Sequence, residues 1–257
     1  MAVALGRTPR RSDARSNRTR ILATARQQLG DNPDASLDSI AQAAGVARRT
    51  LYGHFSSRQA LVTALAQEAG QALQRAFATA RIPGADPLEA MTRMALAAWA
   101  VGDRYRMLTS LGRRDLGDEA IRATLAPARE EATATVRRGQ DEGVFADHVP
   151  APVLVLALEA MMSVLTAENA ASHWADPAGE AAATALLVAV GVAPQVAALR
   201  VRDVLHESEG NERRSDVRHS RFAPSPLLAG SCDVALQSDD RRVQRTGEHR
   251  VDHVPRW

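Results

Sequence analysis

The sequence predicts an all-α protein, and three observations carry that prediction. Apolar residues make up 45% of the 257-residue chain but aromatic residues only 4%, so a core must be assembled mainly from Ala, Leu and Val. Ala and Leu favour helix, whereas β-branched and aromatic runs at strand spacing are nearly absent. Apolar residues recur at helical spacing, in segments separated by glycines. The length suffices for one large domain or two modest ones.

The N-terminal elements follow in order. Residues 1–15 are arginine-rich without periodicity and are expected to form a flexible arm. A helix is expected from Asn17 to Leu29, with Ile21, Leu22, Ala25 and Leu29 on one face, Ser16 as cap and Gly30 as stop. "DNPDAS" reads as a loop. Ser36 is placed to cap a second helix, with Asp38 in its first turn and Leu37, Ile40, Ala41 and Ala44 facing inward. Gly45 ends that helix, where a left-handed backbone costs least. A third helix over Ala47–Gly53 buries Val46, Leu51 and Phe55. Two short helices joined by a tight glycine turn make a helix-turn-helix, and the small Ala41 lets them cross closely. Ser56 and Ser57 offer a cap for a long fourth helix, Arg58–Ala80, along which Leu61, Leu65, Ala69, Leu73 and Phe77 recur every four residues.

After the turn "RIPGADP", helices are expected at Pro87–Val101, Arg104–Arg114, Asp118–Glu142 (with Pro127 starting or kinking a segment), Ala151–Ala170 and Pro177–Val192. "APQVAALRVRDVL" adds a short final helix. Residues 206–257 are rich in Arg, Asp, Ser and His with no helical stripe, and are expected to be a disordered tail. The domain plan is thus an arm at 1–15, a helix-turn-helix domain at 16–62, a helical body at 63–205 and the tail at 206–257.

Charge is unevenly spread. All 32 basic residues are arginine. Residues 1–60 hold ten arginines against four aspartates, while residues 61–205 hold thirteen against seventeen acids. A basic end on a mildly acidic body points to a polyanionic partner. Cys232 is the single cysteine, which excludes an intrachain disulfide and a cysteine-based metal site. No apolar stretch follows the N-terminal arginines, so no signal peptide is expected. The apolar runs at Pro150–Ala167 and Ala181–Ala193 fall short of the roughly 20 residues of a membrane span. The expectation is a cytoplasmic protein.

In a helix-turn-helix the second helix enters the major groove, and its first side chains reach base edges. Arg48, Arg49 and Thr50 occupy that position. Arginine pairs bidentately with guanine, and threonine meets a thymine methyl or a phosphate. Tyr52 and His54, one turn on, are placed for phosphate oxygens. Arg58 opens the fourth helix, where a cation opposes the helix dipole unless a phosphate sits nearby.

The stretch "SIAQAAGVARRTLYGHFSSRQAL", residues 39–61, resembles the DNA-binding domain of the tetracycline-repressor (TetR) family of bacterial regulators. The Leu-Tyr-x-His-Phe segment with a basic residue three positions later is its most specific part, and the likeness runs from about Arg18 to Leu65. The resemblance implies that Arg48, Arg49 and Thr50 read bases, that Ser36, Tyr52, His54 and Arg58 hold phosphates, and that Gly45 forms the turn. It also implies a C-terminal helical effector-binding and dimerisation domain. The sequence departs from the pattern at Ala47, where the family often has Ser or Thr; a lost N-cap costs about 1 kcal/mol. Gly53 leaves the end of the reading helix loose.

In the body, Met91, Met94, Trp99, Tyr105, Met107, Met161 and Met162 suit an adaptable apolar pocket for a small effector, with plain core packing as the alternative for each. His148, His173, Asp147 and Asp176 match no helical metal pattern, so neither a metal nor a cofactor is expected. No nucleophile elbow, phosphate loop or zinc-helix motif is present, and an enzyme is not expected. Glu159, inside an apolar helix, either faces a pocket or pairs with an arginine across a dimer interface. The resulting expectation is a ligand-responsive regulator, a repressor binding a near-palindromic operator as a homodimer, with the helices at 151–170 and 177–192 forming a four-helix bundle with their mates. The alternatives are a small-molecule-binding scaffold or enzyme with a reader-like N-terminal domain, and architectural DNA binding without sequence preference.

Overall fold

The structure, a computed structural model, describes residues 9–171 and 174–220. Among these residues there is no strand, and the helices are α1 (Pro9–Asp31), α2 (Leu37–Ala43), α3 (Arg48–His54), α4 (Arg58–Ala80), α5 (Pro87–Arg104), α6 (Met107–Asp115), α7 (Asp118–Asp141), α8 (Ala151–Ala170), α9 (Glu180–Ala189) and α10 (Pro194–Ser220). The chain divides after Arg213 into two compact units, and the first carries every site described below. Of the second, residues 214–220 are described and are helical.

The N-terminal head is built around the predicted apolar face. Ile21, Leu22, Ala25 and Leu29 of α1, Ile40 and Ala41 of α2, and Leu51 and Phe55 at α3 are buried together with Leu61, Val62 and Leu65 of α4. Arg18 reaches from α1 over the Phe55 ring, 5.4 Å from its centroid, and closes the edge of this core. Helix α1 starts at Pro9 rather than Asn17, so Ser16 lies within it and is not its cap. Arginine is a good helix former and proline fits a first helical position, so part of the expected arm is helix. The turn between α2 and α3 is a Schellman motif. Gly45 has φ +63°, its N–H donates to Gln42 O, and the Val46 N–H donates to Ala41 O, both at 3.0 Å.

The body packs α5, α7, α8, α9 and the start of α10 around Val136, Phe145, Leu158, Leu187, Val190 and Val201. Two residues of types that commonly interrupt helices lie inside them. Pro127 sits within a continuous α7. Gly102 sits within α5, where an added Cβ would come 3.1 Å from Thr166 Oγ1; the glycine sets a close α5–α8 crossing. On α4, an added Cβ at Gly70 would lie 2.9 Å from the Thr124 carbonyl oxygen, so α7 crosses there backbone to backbone.

The expected helix at 177–192 is shorter. Asp176 is buried and accepts the Ala182 N–H at 2.9 Å, and Gly179 caps α9 with a left-handed backbone. The expected short final helix is α10, which runs through 206–220 to Ser220; that part of the tail is therefore helical. Residues 221–257, including Cys232, lie outside the described residues. Among the described residues, α8 is by length and composition able to cross a membrane. Its Leu154, Val155 and Leu158 are buried in the body, and its Glu159 is ion-paired.

Candidate nucleic-acid interface and internal cavity

Helix α3 lays its apolar side chains into the head and leaves the predicted reading residues outside. Leu51 is fully buried and Phe55 nearly so, which fixes the rotation of the helix. Arg48 and Arg49 are then exposed at its first turn, and Thr50 is half-buried. The Arg48 guanidinium pairs with Asp38 of α2 while staying 70% exposed, so the pair ties the two helices weakly and leaves arginine donors at the surface. Tyr52 is 46% exposed, so its ring lies outside the core. His54 is half-buried, its ring tilted against Phe55 with centroids 6.3 Å apart. Gly53 is exposed, with open space where a Cβ would be. Ala47 occupies the N-cap with no side-chain hydrogen bond, as its methyl group dictates. Ser36 caps α2 by accepting the Ser39 N–H at 3.1 Å. The exposed set Ser36, Arg48, Arg49 and Tyr52 presents donors suited to bases and phosphates.

Arg58 is placed otherwise than expected. Its Nη1 donates to Ala35 O at 2.8 Å, its Nη2 donates to Pro33 O, and its Nε faces Asp115 Oδ2 at 3.3 Å. The loop before α2 carries carbonyls with no helical partner, and a long cation at the start of α4 satisfies them. Arg58 is thus a brace of the head rather than an outward phosphate ligand. Arg114 extends the brace by pairing with Asp34 at 2.8 Å and Asp115 at 3.5 Å.

A cavity of about 580 Å³ lies among α4, α5, α6, α7 and α8. Met91, Met94, Tyr105 and Met162 line it, as expected. Trp99 and Met161 do not. Trp99, on α5, is buried against Gly179, edge-on to Trp174 at 5.7 Å, and Met161 packs half-buried on the body core. Met107 belongs to the head core. Glu159 is resolved as a partner within the chain: Arg129 donates from Nε and Nη2 to its two oxygens, at 2.8 and 3.0 Å, and both residues line the cavity. The Glu159 carboxylate raises the Arg129 pKa.

Tyr105 joins cavity to head. Its hydroxyl donates to Glu68 Oε1 at 2.8 Å, and the same carboxylate oxygen receives Arg26 of α1 at 3.2 Å. Burial, and then the Glu68 hydrogen bond, push the Tyr105 hydroxyl above its ordinary pKa. This Arg26–Glu68–Tyr105 cluster and the Arg58–Asp115 brace were not legible in the sequence, because their partners lie 37 or more positions apart along the chain. Asp147 and His148 are exposed, Asp176 is committed to α9, and His173 lies outside the described residues.

Comparison with known proteins agrees with this geometry. Residues 21–65 match the sequence model of the bacterial regulatory proteins of the tetR family. The fold is similar to a TetR family transcriptional regulator, PfmR from Thermus thermophilus, at 25% identity and TM-score 0.55, covering 67% of this chain and 98% of that one. It is also similar to LfrR from Mycobacterium smegmatis, solved with proflavine (22% identity, TM-score 0.55, 68% and 93% covered). A third is the fatty acid degradation regulator FadR from Bacillus halodurans (15% identity, TM-score 0.59, 68% and 95% covered). No curated protein matches the sequence significantly. The head, residues 21–65, thus matches the sequence model of the tetR family of bacterial regulatory proteins, and the helical architecture is similar to that of solved tetR-family transcriptional regulators.

Proposed function

We propose that the protein is a cytoplasmic repressor that binds a near-palindromic operator as a homodimer and leaves it when a small, largely apolar effector fills the cavity. One observation carries the DNA-reading part: Arg48 and Arg49 stand exposed at the start of a helix whose rotation is locked by buried Leu51 and Phe55. Arg48, Arg49 and Thr50 read base edges in the major groove. Ser36, Tyr52 and His54 hold phosphates, and Arg58 stiffens the loop that presents Ser36.

Dimerisation is assigned to α8, which exposes Val153, Leu156 and Val164, together with α10, which exposes Val196 and Leu199. This replaces the expected use of 177–192, since α9 spends Ala182, Ala183, Leu186 and Leu187 on the chain's own core. Two such helices per subunit form the four-helix bundle. The cavity reaches the head through Tyr105–Glu68–Arg26 and through α6, whose Asp115 grips Arg58. An effector needs only about 1–3 kcal/mol of differential affinity between head arrangements to change occupancy usefully.

Gel-shift titration with operator variants tests the reading. Arg49→Ala is expected to cost about 1–3 kcal/mol and to relax preference at particular base pairs. Tyr52→Ala is expected to weaken all operator variants about equally and to reduce the salt dependence. Unchanged base preference in both Arg48→Ala and Arg49→Ala would remove the base-reading role.

A further inference from the structure

The cavity is long for its volume. Its lining extends from Ala66 to Phe77 on α4, from Tyr105 back to Met91 on α5, from Asp118 to Ala132 on α7 and from Thr166 back to Val155 on α8. At a rise of about 1.5 Å per residue these stretches run about 16 Å on α4 and α8 and about 21 Å on α5 and α7, whereas a sphere of the same volume would be only about 10 Å across. The four stretches lie side by side and in step. At one end the Tyr105 hydroxyl donates to Glu68, which lies between Ala66 and Ala69 along α4, and a Cβ added at Gly102 would come 3.1 Å from Thr166 Oγ1. Midway, Gly70 and Thr124 bring α4 and α7 backbone to backbone. At the other end Phe77, Met94 and Ala128 pack together. Spread over this length, the volume leaves a bore of about 6 Å.

The two ends differ chemically. The end nearer the head carries Tyr105, Thr166, Asp118 and Arg122, and the Arg129–Glu159 pair lies partway along. Two arginines and two acids balance on the wall, so the lining favours neither sign of ligand charge. The far end is apolar, built from Leu73, Phe77, Met91, Met94, Ala132 and Leu158. An extended alkyl chain, about 4–5 Å thick, passes such a bore, and a large carbocycle does not. Carbon–carbon bonds of about 1.5 Å advance about 1.3 Å per carbon along the zigzag, so about 12–16 carbons fill the length.

We propose that the cavity is a channel for an unbranched alkyl chain of about 12–16 carbons, its methyl end among Phe77, Met91 and Met94 and its polar end beside Tyr105 and Thr166. This rests on the reading of the cavity as the effector site.

The test is calorimetric titration of the full-length protein with saturated straight-chain carboxylates from octanoate to octadecanoate, below micellar concentrations. Affinity is expected to rise about threefold to fourfold per added carbon, the gain from burying one methylene, and to stop rising at about 12–16 carbons. Cyclododecanecarboxylate has the carbon count of tridecanoate in a ring too broad for the bore, and is expected to bind at least about tenfold more weakly than tridecanoate. Ala132→Leu lengthens a side chain at the apolar end by about three carbons while keeping a good helix former, and is expected to lower the limiting chain length by about two to three carbons. An affinity that climbs evenly through octadecanoate, or equal binding of ring and chain, overturns chain selection while leaving the cavity as a ligand site. An unchanged limit in a folded Ala132→Leu variant overturns the placement of the methyl end. Failure of every probe to bind overturns the effector-site reading, and this proposal with it.

Discussion

Val153→Glu combined with Val164→Glu should convert the protein to monomers and weaken operator binding by about 10²–10⁴-fold, the scale on which linked binding sites exceed single ones. Val153 is 56% exposed and Val164 59%, the largest apolar exposures on α8. Neither lines the cavity, so ligand binding should survive. In a two-fold interface the same patch meets its own copy, so glutamates are placed in an apolar seam close to their counterparts. In an isolated subunit the same glutamates face water and cost little, so the helical signal and melting behaviour of the monomer should be retained. Sedimentation velocity reads the first effect and a gel shift the second. A double variant that remains dimeric would move the interface away from α8.

The second large effect concerns Trp99. Trp99→Ala should destabilise the body by about 3–5 kcal/mol and lower its melting temperature by about 6–20 °C. The ring is 2% exposed, lies edge-on to Trp174, and covers the Gly179 backbone so closely that a Cβ there would be 2.5 Å from it. Removing it therefore unpacks both α5 and the cap of α9. Circular dichroism melting measures the loss. At low temperature the reading head, whose core does not include Trp99, should still bind DNA. A loss below about 1 kcal/mol would mean that the tryptophan pair is not the keystone of that region.

The contrast between Trp99 and Tyr105 shows how far sequence alone reaches. Both are aromatic residues in one apolar region, and the sequence suggested the cavity for each. Only the helix rotation, set by packing against α4, α7, α8 and α9, puts Tyr105 on the cavity wall and Trp99 against Gly179. The reading head was legible almost residue by residue. Its signals are local: Ser36 and Ser57 as caps, Gly45 at the turn, and Leu51 and Phe55 at helical spacing. Arg58 shows where local reasoning stops. A cation at a helix start suggests a phosphate, but the loop carbonyls of Pro33 and Ala35, brought there by the tertiary fold, claim it first. Glu159 was legible as an anomaly and not as a pair, because its arginine lies thirty positions earlier on another helix. The end of α10 was missed for a different reason. Residues 206–220 carry no apolar stripe, so the sequence offers no periodic signal of a helix there.

The central claim, that α3 reads a two-fold symmetric DNA sequence, is tested most directly by selecting bound duplexes from a random pool in the presence of excess unrelated DNA. The expected result is a single enriched near-palindrome, its half-sites about one helical turn or a multiple of it apart, with guanines at the positions that Arg49→Ala renders indifferent. A pool that stays unenriched while the protein still binds DNA would contradict the claim and leave only backbone recognition without sequence preference.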